Sequence, residues 1–138
     1  MDKKILVIDG QGGQLGSQIV KALLAKFPGL SITAIGTNAT ATSTMLKAGA
    51  AYGATGENPV IVACRKAGII IGPIGIVIAD ALMGEVTPAM AVAVGQADAA
   101  RILIPMNKCE NLVAGVSNLS ISVLIQDAIS KVEQIINP

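Results

Sequence analysis

The sequence contains no histidine. That removes the commonest general base near neutral pH and the commonest metal ligand, and no metal site is expected. Tryptophan is absent too, with one tyrosine and one phenylalanine, so there is almost nothing on which nucleic-acid bases could stack. The formal net charge of +1 gives no electrostatic reason to bind nucleic acid. Two cysteines, Cys64 and Cys109, are too few and too unpatterned for a zinc site. Nothing in the sequence supports a disulfide between them, and a cytoplasmic protein with reduced thiols is the expectation. A membrane-spanning run is also lacking. The longest uncharged apolar stretch, AGIIIGPIGIVIA from Ala67 to Ala79, is broken by Gly72, Pro73 and Gly75, whereas a spanning helix needs about 20 apolar residues. The N-terminal run Ile5 to Ile8 is too short for a secretory signal and ends at Asp9.

What is present is apolar: 52% of the 138 residues are hydrophobic and 14% charged. A domain of this size must cover much of its surface with polar groups. The excess points to subunits that bury apolar surface against one another, a homo-oligomer, with membrane contact as the weaker alternative. Ile5 to Ile8 reads as a strand buried on both faces. Leu15, Ile19, Val20, Leu23, Leu24 and Phe27 keep helical spacing until Pro28-Gly29 stops them. Ser31 to Ile35 is a second strand. Asn38 opens a helix that closes at Gly49, and Ala50 to Glu57 reads as a Gly-rich loop. Asn58-Pro59 reads as a cap with a first-turn proline before a helix over Val60 to Ala67. Ile69 to Ile71 is a third strand, and Ile74 to Leu82 is ambiguous. Thr87-Pro88 starts a helix that runs to about Ala97, and Arg101 to Ile104 is a fourth strand. The turn from Pro105 to Asn111 is too short for a parallel crossover, so Leu112 to Val116 is expected as a fifth strand that pairs antiparallel or leaves the sheet. Ile121 to Ile136 carries the apolar stripe of a closing helix. The expectation is one α/β, Rossmann-like, three-layer domain over residues 1–138, with a mostly parallel sheet of about five strands and an antiparallel fifth.

Ligands of such folds bind beyond the carboxyl ends of the strands. Strand one supplies Asp9 and the candidates Gly10, Gln11, Gly12 and Gly13. Strand two supplies Gly36, Thr37 and Asn38. Strand three supplies Gly72 and Pro73, and strand four leads to Asn107. Glycine lets backbone approach a ligand, while Thr37, Asn38 and Asn107 offer hydrogen bonds; turns between strands and helices also use Gly and Asn for conformational reasons alone. The spacing Gly10-x-x-Gly13-x-x-Gly16 follows a buried strand and enters a helix, the context a phosphate-binding loop requires. DGQGGQLGSQIV resembles the G-x-x-G-x-x-G start of short-chain dehydrogenase/reductase proteins, and the resemblance implies a pyrophosphate of NAD(P) held on these glycines. It covers only the first twenty residues or so. The Tyr-x-x-x-Lys pair of that family is missing, since Tyr52 is followed four residues on by Gly56. No acidic residue or arginine stands at the end of strand two, and Asp9 sets a negative charge beside the proposed phosphate. The loop is not a Walker P-loop either, because no lysine precedes Ser17.

IDGQGG, AIGTNATATSTMLKAGAAYGATGEN, IIIGPIGIVIADALMGEVTP and ILIPMNKC together resemble a family of short bacterial proteins of unknown function, over nearly the whole chain. That resemblance implies no activity; it implies that the chain is a whole protein of that family. Among the remaining residues, Lys108 beside Cys109 could favour a thiolate, although a plain turn cysteine is the favoured reading, and Cys64 reads as core. Asp80 and Glu85 could act as acid and base or hold a metal, against a cap or turn role for Asp80. Glu57-Asn58 reads as helix entry, and Met83, Met90 and Met106 as packing or subunit contact. Two functions follow: a protein binding a nucleotide or dinucleotide phosphate, NAD(P) or another, over Gly10–Gly16; or a non-enzymatic homo-oligomer or partner-binding module whose glycines are structural.

Overall fold

The computed structural model describes residues 4–106 and 111–138. Five parallel strands form one sheet in the order β3-β2-β1-β4-β5. They are β1 (Ile5–Asp9), β2 (Ile32–Gly36), β3 (Tyr52–Thr55), β4 (Ile69–Pro73) and β5 (Ala100–Ile104). Five helices connect or close them: α1 (Gln14–Lys26), α2 (Ala39–Lys47), α3 (Glu57–Lys66), α4 (Pro88–Gln96) and α5 (Ile121–Ile136). Successive strand residues point to opposite faces, and both faces of the central strands are apolar and covered. Ile5, Val7, Ile69 and Ile71 pack with residues of α1 and α5 on one side. Leu6, Ile8, Ile35 and Ile70 pack with residues of α3 and α4 on the other. Burying each such side chain stabilises the fold by roughly 1.5–3 kcal/mol, so the unbroken apolar runs of β1 and β4 are what hold the two helical layers together.

Three of these helices, α2, α4 and α5, start where a side chain accepts a backbone N–H of the first turn. The Asn38 carboxamide accepts the Ala41 N–H at 2.8 Å, and the Thr87 hydroxyl accepts the Met90 N–H at 3.1 Å with Pro88 following it. Ser120 caps α5 through the Val123 N–H. Asn58 does not cap α3 as its sequence suggested. That helix begins at Glu57 after Gly56, and Pro59 falls within the first turn, where backbone N–H groups have no intrahelical partner to lose.

Two further expectations fail. All strand pairs among the described residues are parallel, including β4 with β5, so the antiparallel fifth strand expected from the sequence is not found among them. Leu112 to Val116 forms no strand, and Leu112 is 93% exposed. Val116 is exposed too, and the run pairs with neither edge strand of the sheet, β3 or β5. The fifth strand is instead β3, inside the stretch read as a Gly-rich loop. All four of its residues are exposed, and it is held by backbone pairing to β2 from Thr33↔Tyr52 to Gly36↔Thr55. Ile74–Val77, left ambiguous by the sequence, is a single 3-10 turn.

Candidate functional site

The order of the sheet reverses between β1 and β4. β1 pairs with β2 through Asp9↔Gly36, but β1 and β4 pair only as far as Val7↔Ile71. Above that level the two central strands part, which is where open parallel sheets bind ligands. A cleft of about 220 Å³ lies there. The glycine loop and the first turn of α1, from Asp9 to Leu15, form one wall, and Pro73, Leu82 and Met106 the rest.

The loop is shaped by Asp9. One carboxylate oxygen accepts the Gly10 N–H at 2.8 Å and the other the Gly16 N–H at 2.7 Å, both buried. The loop turns tightly after it: Gly13 donates to the Gly10 carbonyl and is left-handed, with φ of 75°. A Cβ there would lie 2.8 Å from the backbone of Ala41, so Gly13 is where α1 and α2 meet. At Gly16 a Cβ would strike Met45 and Asp9. Gly12 is different, since its nearest neighbour would be Gln14 Cγ at 3.9 Å. The N–H groups of Gly12, Gln14 and Leu15 find no acceptor among the described residues. Burial pushes the Asp9 carboxyl above its ordinary 3.8. The Gly16 and Gly10 N–H groups oppose that rise without cancelling it, and the negative charge of Glu85 adds to it.

On the β2 side of the loop, one carboxylate oxygen of Glu85 gathers three donors: the Thr37 hydroxyl at 2.6 Å, the Gln11 N–H at 2.8 Å and the Asn38 side-chain amide at 2.9 Å. Asn38 also donates to the Gln11 carbonyl at 2.9 Å. Burial raises the Glu85 carboxyl, but the bonds from Thr37, Gln11 and Asn38 outweigh it and leave it below its ordinary 4.5.

The sequence-derived candidates therefore separate. Gly10, Gln11, Gly12, Gly13 and Pro73 line the cleft. Gly16 packs beneath the loop. Thr37 and Asn38 do not line the cleft; they hold Glu85, and Asn38 also caps α2. Gly36 turns into α2, with its N–H on the Thr42 hydroxyl. Gly72 lies against the Ile8 carbonyl. Asn107, Lys108 and Cys109 lie outside the described residues. Cys64 is buried, its thiol pushed up to about 11 by burial. Asp80 sits in a turn at φ of 67°, and no cluster of potential metal ligands exists among the described residues. Gln14, Leu15 and Leu82 were not foreseen as cleft residues, whereas Met106 follows the fourth strand of the sequence reading at the sheet edge and lines the cleft. Gln14 and Leu15 follow the glycines into the helix, a signal that could have placed them.

Strand order, pairing and the position of the cleft define an α/β protein of the Rossmann type. Residues 4–137 match the family described as "Domain of unknown function (DUF3842)", and the chain belongs to that family. No curated protein matches the chain. Among solved structures it is similar to the dodecameric FMN-dependent UbiX-like decarboxylase from Escherichia coli O157:H7. The identity is 14% and the TM-score 0.45, over 99% of this chain and 95% of that one. No helix among the described residues is long and apolar enough to cross a membrane.

Proposed function

We propose that the cleft between β1 and β4 binds the phosphate of a nucleotide or related ligand. The observation that carries this is the set of N–H groups on Gly12, Gln14 and Leu15, unpaired at the start of a 13-residue helix and lining a cleft at the strand reversal. Such groups, reinforced by the helix dipole, favour an anion. Asp9 does not contradict this, because both its oxygens are turned to backbone N–H groups and burial favours its neutral form.

A ligand selective for the folded state raises the melting temperature. A panel of adenine nucleotides, NAD(P) and sugar phosphates is expected to contain at least one compound that does so. Gly12→Asp is the decisive variant. Its side chain has space and its backbone is unstrained, so the free protein should keep its stability to within about 0.5 kcal/mol. The added negative charge should abolish the ligand-induced shift. A well-folded protein that answers to no member of the panel would falsify the reading.

A second reading, self-association without catalysis, rests on the segment before and into α5. Leu112, Val116, Leu119, Ile121 and Val123 are all exposed there, beside a hollow of about 560 Å³. Clustered apolar exposure of this kind marks contact surfaces, and a second copy of the chain is the proposed occupant. Light scattering is expected to give a mass above 13.9 kDa; a monodisperse monomer removes this reading.

A further inference from the structure

We propose that Glu85 is a specificity determinant: by bridging the β4–α4 connection to the end of β2, it shuts the β2-side half of the groove and restricts the site to a compact phosphate monoester. This rests on the phosphate reading above and narrows its ligand class. In a sheet of this order a dinucleotide lies across the strand reversal, with its pyrophosphate on the glycine loop and one ribose at the end of the second strand. Here that ribose position is filled by the protein. Glu85 bonds Thr37 and Asn38 at the end of β2 and Gln11 in the loop of β1, closing the gap between the two strands. Leu82, from the same connection, lies beside it. A Cβ on Gly10 would come within 2.8 Å of both Leu82 and the Glu85 carboxylate, so no space remains above the backbone.

The connection that carries Glu85 is itself an ordered structure. Asp80 donates to the Val86 carbonyl at 2.7 Å, and Val86 returns a bond to Ala81 at 3.1 Å. Asp80, Leu82, Met83 and Gly84 all have positive φ, a conformation that non-glycine residues hold only where surrounding contacts impose it. Leu82 is buried while Met83 beside it is 93% exposed. The turn thus drives one side chain down over the loop and aims the carboxylate across it. What stays open is the half towards β4 and β5, about 220 Å³ and without Thr37, Asn38 or Glu85 on its walls. Sites for drug-sized ligands run from about 300 to 1,000 Å³. A phosphate with a small carbon body suits the space on offer, and a second nucleotide would meet the Glu85 carboxylate.

The test is titration calorimetry of the full chain with ribose 5-phosphate and with NAD, on the wild type, Glu85→Ala and Gly12→Asp, together with amide exchange at Gln11. The wild type is expected to bind ribose 5-phosphate and to show no heat with NAD at the same concentration. Glu85→Ala should raise the NAD-to-ribose-5-phosphate affinity ratio by about tenfold or more, about 1.4 kcal/mol, and speed Gln11 exchange, since that N–H loses its acceptor. If Glu85→Ala does not fold, Thr37→Val removes one of the three donors and should move both readouts the same way by less. Ribose 5-phosphate and NAD binding equally well to the wild type, with Gly12→Asp weakening both, would overturn the role of Glu85 and leave the phosphate site standing. An unchanged affinity ratio and unchanged Gln11 exchange in Glu85→Ala overturn it as well. Neither compound binding to the wild type overturns the phosphate site and this assignment together.

Discussion

Replacing Gly72 by alanine is expected to destabilise the protein by about 3 kcal/mol, although it adds a single methyl group to the middle of the sheet. β1 and β4 pair from Ile5↔Ile69 to Val7↔Ile71 and then separate, β1 continuing with β2 and β4 with β5. Gly72 stands at the point of separation. A Cβ there would run into the Ile8 carbonyl, which is backbone, and would lie 3.0 Å from Ile76 Cδ1. A side chain can rotate out of the way; a carbonyl in a central strand cannot move without carrying Asp9 and the glycine loop with it. The melting temperature should fall by about 10 °C, and any ligand response should fall with it. Gly95→Ala is the matching control. That glycine lies in α4 with nothing near its Cβ, and alanine there should be neutral or stabilising by up to about 1 kcal/mol. Denaturant unfolding of both variants decides the matter, and equal stabilities would show that the closeness of β1 and β4 at Gly72 is not a constraint.

The contrast between these two glycines is invisible in sequence, where both follow apolar residues. What the sequence does show is set by local chemistry. β1 and β4 are unbroken apolar runs because both of their faces are covered, and Thr87-Pro88 announces α4 because its cap is made within three residues. β3 escaped because Tyr-Gly-Ala-Thr has no run of aliphatic residues and stays exposed, held by backbone pairing to β2 and by the Thr42 hydroxyl on Ala54 and Thr55. Leu112 to Val116 misled for the converse reason, having apolar residues and no partner strand. The candidate site divides in the same way. The glycine spacing that opens α1 is local, and the loop it forms lines the cleft. The Glu85 bridge joins residues 74, 48 and 47 positions apart, and no spacing rule links them. Thr37 and Asn38 therefore looked like free hydrogen-bonding groups at the sheet edge, although their partner is another part of the same chain.

The loop itself depends on Asp9, and Asp9→Ala is expected to cost about 3 kcal/mol in mild acid, because two buried N–H groups, those of Gly10 and Gly16, lose their acceptors. Asp9→Asn keeps one accepting oxygen and should cost about half as much. The pH dependence separates this from a simple loss of packing. Folding raises the Asp9 carboxyl above 3.8, burial being the largest cause, so the fold favours the neutral acid. The stability this supplies is fully present below 3.8 and is lost as pH rises through the folded-state value. The gap between wild type and Asp9→Ala should therefore narrow between about pH 4 and about pH 7. Glu85 works in the opposite sense. Its carboxyl is lowered below 4.5, so its contribution is complete above that value and is lost as pH falls through the folded-state one; Glu85→Ala should differ most from the wild type near neutral pH. Denaturant unfolding at the two pH values measures both. A gap for Asp9→Ala that widens towards neutral pH would mean that the fold holds Asp9 as the anion. The floor of the cleft would then carry a full negative charge, and a phosphate on Gly12, Gln14 and Leu15 would have to bind against it. A gap that narrows means that the fold favours the protonated carboxyl, so that Asp9 anchors the loop through its two N–H contacts while setting less negative charge against the phosphate proposed for Gly12, Gln14 and Leu15.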